Sequence, residues 1–471
     1  VAVKSVRGVK KVVDLLEVAK HDRLRERGWA PAEAGEQSAP MTGGEDRSFL
    51  KALGPGLLWA GAAVGVSHLV QSTRAGASLG LGLVVVVLAA NFFKYPAFQF
   101  GPRYAAATGT SLLEGYRRQG RWALVLYGLL TVGTMFTIQS VVTLVTAALY
   151  AALFGWTAPL LGFPPAFWVA VLLLLLCGAL LLAGHYRWLD RINKAVVLVL
   201  TVTTFSATLL VLPKIPWGSV PWLPDPAVFT DLRSVAFMVA LVGWMPSAFD
   251  ISIWHSLWTL ARREQTGHAP LVKESVLDFN VGYVGTVLLA LCFVLLGAGV
   301  MYGSGEAFDD RAAVFAQQVI SLYTKNLGEW AAPLIGLAAG TVMFSTTLTV
   351  ADGFPRALSG LAARFRGPET PGEATTRGSV YWASLLVLGA GSIAIIGYAL
   401  RGGAAFKALV DLATSLSFLT APALAWLNHR AIHASEVPVQ HRPSRALSAW
   451  SVSGIVFSSV FAAYYLWILA R

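Results

Sequence analysis

The sequence predicts an all-α polytopic membrane protein, built as two inverted five-helix repeats plus an eleventh helix, with helices 1 and 6 broken at the midplane. Three observations lead there. The 471-residue chain is 56% hydrophobic and 13% charged, well short of the charge of a soluble protein. Apolar runs such as "FWVAVLLLLLCGALLLAG" and "VGTVLLALCFVLLGAGVMYG" recur, and about 20 such residues cross a bilayer. The runs are continuous, not alternating, which argues against a β-barrel. Two of the spans, five apart in order, are interrupted by glycine, proline and polar residues.

Residues 1–48 are polar and charged, with no apolar core of a cleavable signal. "VKSVRGVKKVVDLLEVAKHDRLRERG" spaces Val and Leu helically among basic residues. That pattern predicts a short amphipathic helix on the cytoplasmic membrane surface. "APAEAGEQSAPMTGGEDRS" follows as a flexible linker.

Eleven spans are expected, near 50–76, 79–101, 121–154, 165–184, 191–213, 233–261, 277–303, 328–360, 378–400, 405–428 and 449–470. Residues 49–430 then form the core, with one repeat over about 50–213 and the other over about 233–428. Residues 431–471 supply a loop and the eleventh helix. Lys and Arg crowd the loops after spans 2, 4, 6, 8 and 10, among them Arg117, Arg118, Arg187, Arg262, Arg364 and Arg442. "GWTAPLLGFP", on the other side, has none. By the positive-inside rule the N-terminus is cytoplasmic and the C-terminus external, in the plasma (inner) membrane. The same loops account for the net charge of +11, so no nucleic-acid partner is expected. The expected partners are the lipid bilayer and a small inorganic ion, and the expected state is a monomer. Cys177 and Cys292 both fall inside spans and read as reduced packing residues.

Span 1 breaks at Gly65, Val66, Ser67 and His68, and span 6 at "GWMPSAFD", Gly243 to Asp250. Pro246 removes a backbone donor and clashes with the preceding turn. Interruptions at matching places in two halves point to an inverted repeat with its binding site between the breaks. Polar residues there would be costly in lipid. The expected substrate residues are Gly65, Val66, Ser67, His68, Met245, Pro246 and Ser247. Gln71 and Arg74 are expected to line the external vestibule. Asp250, four residues after Pro246, either complements a helix dipole or carries a proton. Asp352 and Asp411 are ionisable and near spans. Trp244 and Trp254 read as packing or gate residues.

These segments carry a resemblance. "GPGLL…RAGA", "MPS" at Met245-Pro246-Ser247 and "GLAAGTVMFSTTLTVADGF" are similar to helices 1, 6 and 8 of the Nramp family. The chain resembles a divergent prokaryotic branch of that family of proton-coupled divalent-metal transporters, over most of 50–430. The resemblance implies a LeuT-like fold and secondary active transport. It also exposes departures. The family's helix 1 carries Asp-Pro-Gly-Asn, whose Asp and Asn bind metal; the aligned residues here are Gly65 and His68. Met245 falls on the metal-binding methionine, while Ser247 and Ser252 replace two histidines. Gln139 and Val142 stand where helix 3 has its proton-route acids.

Mn²⁺ favours carboxylate, carbonyl and water oxygens, and without the aspartate it loses its counter-charge in a low-dielectric site. The starts of the second half-helices favour anions instead. The expected substrate is therefore a small anion, bicarbonate first. The alternative is a divalent cation, Mn²⁺ or Mg²⁺, at a modified site. An anion entering a negative-inside cell needs a driving ion. Carriers of LeuT-like fold often hold Na⁺ between helix 8 hydroxyls and carbonyls at the helix 1 break, which makes Ser345, Thr346, Thr347 and Thr349 the candidates here. Proton coupling through His68 or Asp250 is the rival. No resident cofactor is expected beyond that Na⁺. No zinc signature, nucleophile elbow or acid pair marks an intramembrane enzyme. A sensor would bring a soluble signalling domain, for which 48 residues are too few.

Overall fold

A computed structural model describes residues 54–471 except 184–185, 306–307, 310, 374–376 and 402–405. The amphipathic helix and linker expected over 1–48 lie outside the described residues. Among the described residues there are fifteen α-helices and no strand.

Span 1 consists of α1 (Pro55–Ala63), a π-helical turn (Ser67–Ser72) and α2 (Thr73–Leu79). Next come α3 (Val84–Thr108), α4 (Leu112–Gln119), α5 (Arg121–Leu153), α6 (Pro165–Leu182) and α7 (Tyr186–Val211). Span 6 is α8 (Leu232–Gly243) and α9 (Asp250–Thr266). The rest are α10 (Val272–Val300), α11 (Ala312–Leu327), α12 (Ala332–Arg366), α13 (Ser379–Arg401), α14 (Phe406–Ile432) and α15 (Arg445–Leu469). Seven of these, α3, α5, α6, α10, α13, α14 and α15, are long and apolar enough to cross a membrane by length and composition. The other four expected spans are the broken pair, α7 and α12. Two helices were not expected: α4 and α11 are short connectors that the sequence reading left in loops or at the edge of a span.

The helix neighbours repeat as an inverted repeat requires. Span 1 packs along span 7 (α1 and α2 on α10), and span 6 packs along span 2 (α9 on α3). Span 3 lies on span 8; span 5 touches span 8 as span 10 touches span 3. Span 4 covers span 3 as span 9 covers span 8. α15 stands outside this pattern, against α3 and α14. Its Val452, Val456 and Val460 recur every fourth residue on an exposed face suited to lipid.

Glycine sets how closely the central helices approach. A Cβ on Gly76 would lie 2.0 Å from the Val294 carbonyl, and one on Gly101 2.2 Å from the Ser252 carbonyl. Backbones in such contact gain dispersion energy that lipid cannot supply. The N-terminus of α1 is held differently. Asp278 of α10 accepts from the amides of Gly54 at 3.2 Å and Gly56 at 2.6 Å, satisfying two of the donors a helix start leaves open. Cys177 and Cys292 are free and buried, as expected.

Candidate functional site

The two interruptions come together. In span 1 the ladder of α1 ends with Val64 N donating to Ala60 O and Gly65 N to Ala63 O. Val64 then leaves helical geometry at φ −76°, ψ 82°. The chain re-enters a helix through Leu69 N to Gly65 O. In span 6 the residues between α8 and α9 carry Pro246, which cannot donate to the ladder. Ser67 Oγ lies 3.4 Å from the Pro246 carbonyl, so the breaks touch.

Gly65 is where the family pattern has its aspartate, and the structure closes that position. A Cβ there would stand 2.9 Å from Thr346 Cγ2 and 3.1 Å from its Oγ1. The apolar gap beside it, lined by Leu69, Leu200, Phe293 and Met343, has no room for a water molecule. Thr346 also donates its hydroxyl to Gly61 O at 3.0 Å, with Val64 O at 3.4 Å. Among the described residues, Thr346 bonds helix 1 carbonyls. Thr347 pairs with Thr146 at 2.7 Å, and Thr349 donates back to Ser345 O at 2.6 Å.

His68 is fully buried and held on both ring nitrogens. Nε2 lies 3.0 Å from Thr286 O, and Nδ1 2.7 Å from Ser67 Oγ. A carbonyl can only accept, so Nε2 carries the proton and Nδ1 accepts from the serine. The histidine thus spans from span 1 to α10 with no free donor. Val66 and Met245 are buried at the breaks, while Ser247 is half-buried. Trp244 donates to Ser417 Oγ at 2.8 Å, pinning the end of α8 to α14.

Asp250 opens α9 and turns toward α5, where Thr131 donates to its Oδ1 at 3.4 Å. Its Oδ2 and the hydroxyl of Tyr127 are buried with no hydrogen-bond partner among the described residues. Gln139 on α5 donates to Thr143 at 3.0 Å, and its Oε1 is likewise unpaired. Val142 is buried, leaving no acid at either position.

Gln71 and Arg74 join a polar cluster on α14. Arg74 reaches Asp411 with both amino groups, at 2.7 and 3.1 Å, and donates to Gln71 Oε1 at 2.7 Å. Gln71 also donates to Asp411 at 3.1 Å, and Phe237 lies 4.7 Å from the guanidinium. Asp352, by contrast, is occupied with Arg356, Arg377 and Tyr381. At the far ends of α3, α9 and α12, buried Glu114 binds Arg117, Arg118 and Arg364. Burial acts to raise its carboxyl, but Arg117 and Arg118 outweigh this and hold it below the ordinary glutamate value.

Sequence reasoning missed one residue of the site. Lys94, within α3, is 1% exposed. Its Nζ donates to the Val242 carbonyl at 2.5 Å and the Gly243 carbonyl at 2.9 Å, the last turn of α8. The signal was a single lysine inside "VVVVLAANFFKYPAFQF", since an ionisable group within a span is a functional candidate by default.

Inverted repeats with paired broken helices around a central site define a secondary transporter. The comparisons agree. The family model described as Nramp, natural resistance-associated macrophage protein-like, matches residues 56–468. An uncharacterized protein of Pasteurella multocida is 33% identical over 431 residues, covering 89% of this chain and 92% of its own length. The chain belongs to the Nramp family. Among solved structures, an Eremococcus coleocola manganese transporter aligns with TM-score 0.65 at 12% identity, covering 90% of this chain and 88% of its own. MhsT in complex with L-phenylalanine aligns with TM-score 0.59 at 14% identity, covering 93% and 99%. These likenesses establish the LeuT-like fold.

Proposed function

We propose that this transporter carries a small oxyanion, bicarbonate first, and not a transition metal. One observation carries the reading. Residues 64–66 and 244–249, between the half-helices, contain no carboxylate, and the position where the family pattern has one is packed shut by Thr346 against Gly65. The nearest acid, Asp250, is turned to Thr131 on α5. What the breaks offer instead are the positive dipole ends of two half-helices near Ser67 and Ser247, an arrangement that favours anions. Na⁺ coupling draws support from Thr346, whose hydroxyl already meets the Gly61 and Val64 carbonyls. Ser345, Thr347 and Thr349 serve the packing around that point, and Asp250 is the proton-coupling rival. The protein works as a monomer in the plasma membrane, N-terminus inside and C-terminus outside.

The second reading is a divalent cation, Mn²⁺ or Mg²⁺. The manganese transporter among the structural neighbours and Met245 at the break favour it. Sealed proteoliposomes separate the two. Uptake of Mn²⁺ and Mg²⁺ is compared with bicarbonate-driven internal alkalinisation, with and without a Na⁺ gradient. The expected result is protein-dependent alkalinisation, enhanced by inward Na⁺, without metal uptake. Saturable metal uptake without a bicarbonate response overturns the anion reading.

A further inference from the structure

The geometry points to Lys94 as the charge partner of the transported anion and the residue that excludes cations from the site. This rests on the anion reading and names the group that gives it affinity.

Lys94 enters from α3, the neighbour of α9, and its side chain ends at the break of span 6. Val242 and Gly243, whose carbonyls it binds, immediately precede Trp244, Met245 and Pro246. These carbonyls form the negative end of the α8 dipole, which favours a cation. The rings of Phe249 and Phe418 stand 5.4 and 6.0 Å from Nζ, a further cation-stabilising contact.

None of this is a full counter-charge. Among the described residues no carboxylate forms an ion pair with Lys94. The carboxylates around the centre face other groups: Asp250 turns toward Thr131 with its Oδ2 unpaired among the described residues, Asp411 pairs with Arg74, and Asp278 holds the start of α1. An ammonium has three hydrogens, and two are used on the carbonyls. A buried charge without a partner is costly, so its retention calls for a partner that comes and goes. An oxyanion at the break supplies it, accepting the third hydrogen of Nζ. In its ammonium form Lys94 sets one positive charge against one negative charge, which selects a monovalent anion such as bicarbonate or nitrate. The same charge repels Mn²⁺ and Mg²⁺ from carbonyls that would otherwise ligate them.

The test uses the full chain in detergent and in proteoliposomes, with bicarbonate and nitrate as probes and Mn²⁺ as the contrast. Wild type is expected to bind the anions saturably. Lys94→Met is expected to weaken anion affinity at least tenfold, with Lys94→Arg within a few-fold of wild type. If Lys94 only caps α8, Lys94→Met lowers the melting temperature but leaves the anion dissociation constant unchanged. That result overturns the inference and leaves the anion reading standing. Wild type that takes up Mn²⁺ and binds neither anion overturns both. Should Lys94→Met fail to fold, the structure of wild type with bicarbonate decides. An anion oxygen within hydrogen-bond distance of Nζ supports the inference, and an anion seated away from Lys94 overturns it.

Discussion

Arg74 of α2 and Asp411 of α14 form a two-pronged ion pair, 2.7 and 3.1 Å, across the two repeats. With Gln71 on the same carboxylate and Phe237 beneath, it ties α2 to α14, and it is expected to close the α2 end of a path to the breaks. In the proposed orientation that end faces outward. The side chains are 12% and 28% exposed, so solvent weakens the pair only in part. A charge-assisted pair of this kind contributes about 1.5–3 kcal/mol, a shift of roughly ten- to a hundredfold between closed and open states. Arg74→Ala and Asp411→Asn should each raise labelling of a reporter cysteine at Thr414 by an impermeant maleimide. Each should also lower transport, and the double variant should be no worse than either single one. Unchanged labelling in both would show that the pair does not hold the closed state.

Gly65→Ala should destabilise the fold by about 1–3 kcal/mol, the cost of overpacking, because its methyl meets Thr346 at 2.9 Å. Shortening the neighbour, as Thr346→Ser, should recover part of the loss. Melting temperatures of the two single variants and the double variant check this; strictly additive losses would place the strain elsewhere.

His68→Ala should act on stability before affinity. It removes the second hydrogen bond at Thr286 O, which keeps its ladder bond within α10, while Ser67 keeps Ala63 O at 2.9 Å, so the loss is about 0.5–1.5 kcal/mol for the bond, plus the cavity left by the ring. The expected result is a lower melting temperature with an anion affinity within about threefold of wild type, a difference below 1 kcal/mol. A tenfold loss of affinity at unchanged melting temperature would instead make His68 a direct ligand.

Glu114 predicts acid sensitivity. Its folded value lies below the ordinary 4.5 because Arg117 and Arg118 outweigh burial. A depressed carboxyl stabilises the fold above its unfolded value, and that contribution is lost as pH falls from 4.5 through the folded value. Glu114→Gln should cost about 2–3 kcal/mol near neutrality, less than a fully buried pair because Arg117 and Arg118 reach water. It should also flatten the acid limb of a melting-temperature profile. An unaltered acid limb would assign that sensitivity to another group.

The spans were legible because a membrane crossing writes itself as a local run of apolar residues, and both breaks were legible because Gly65 and Pro246 act on their own backbone. α4 and α11 were not, since a short amphipathic connector leaves no run to read. The partners were beyond reach for a different reason. Asp411 lies 337 residues from Arg74, and Thr286 lies 218 from His68. Such pairs depend on helix rotation, which hydrophobicity along one chain fixes poorly. Lys94 sat in plain view as a charge in an apolar run, but its meaning came only from what α3 faces.

The two hydrogen bonds that the Gly54 and Gly56 amides donate to Asp278 give α1 the character of a tethered lever. Its start is fastened to α10, and its regular helix ends just before Gly65. A Cβ on Gly282 would lie 2.3 Å from the Gly56 carbonyl, so α1 cannot slide along α10 either. Any opening at the α1 end is therefore expected to carry α1 and α10 together, with flexure near Gly65. Peeling α1 away alone would first have to undo the clamp.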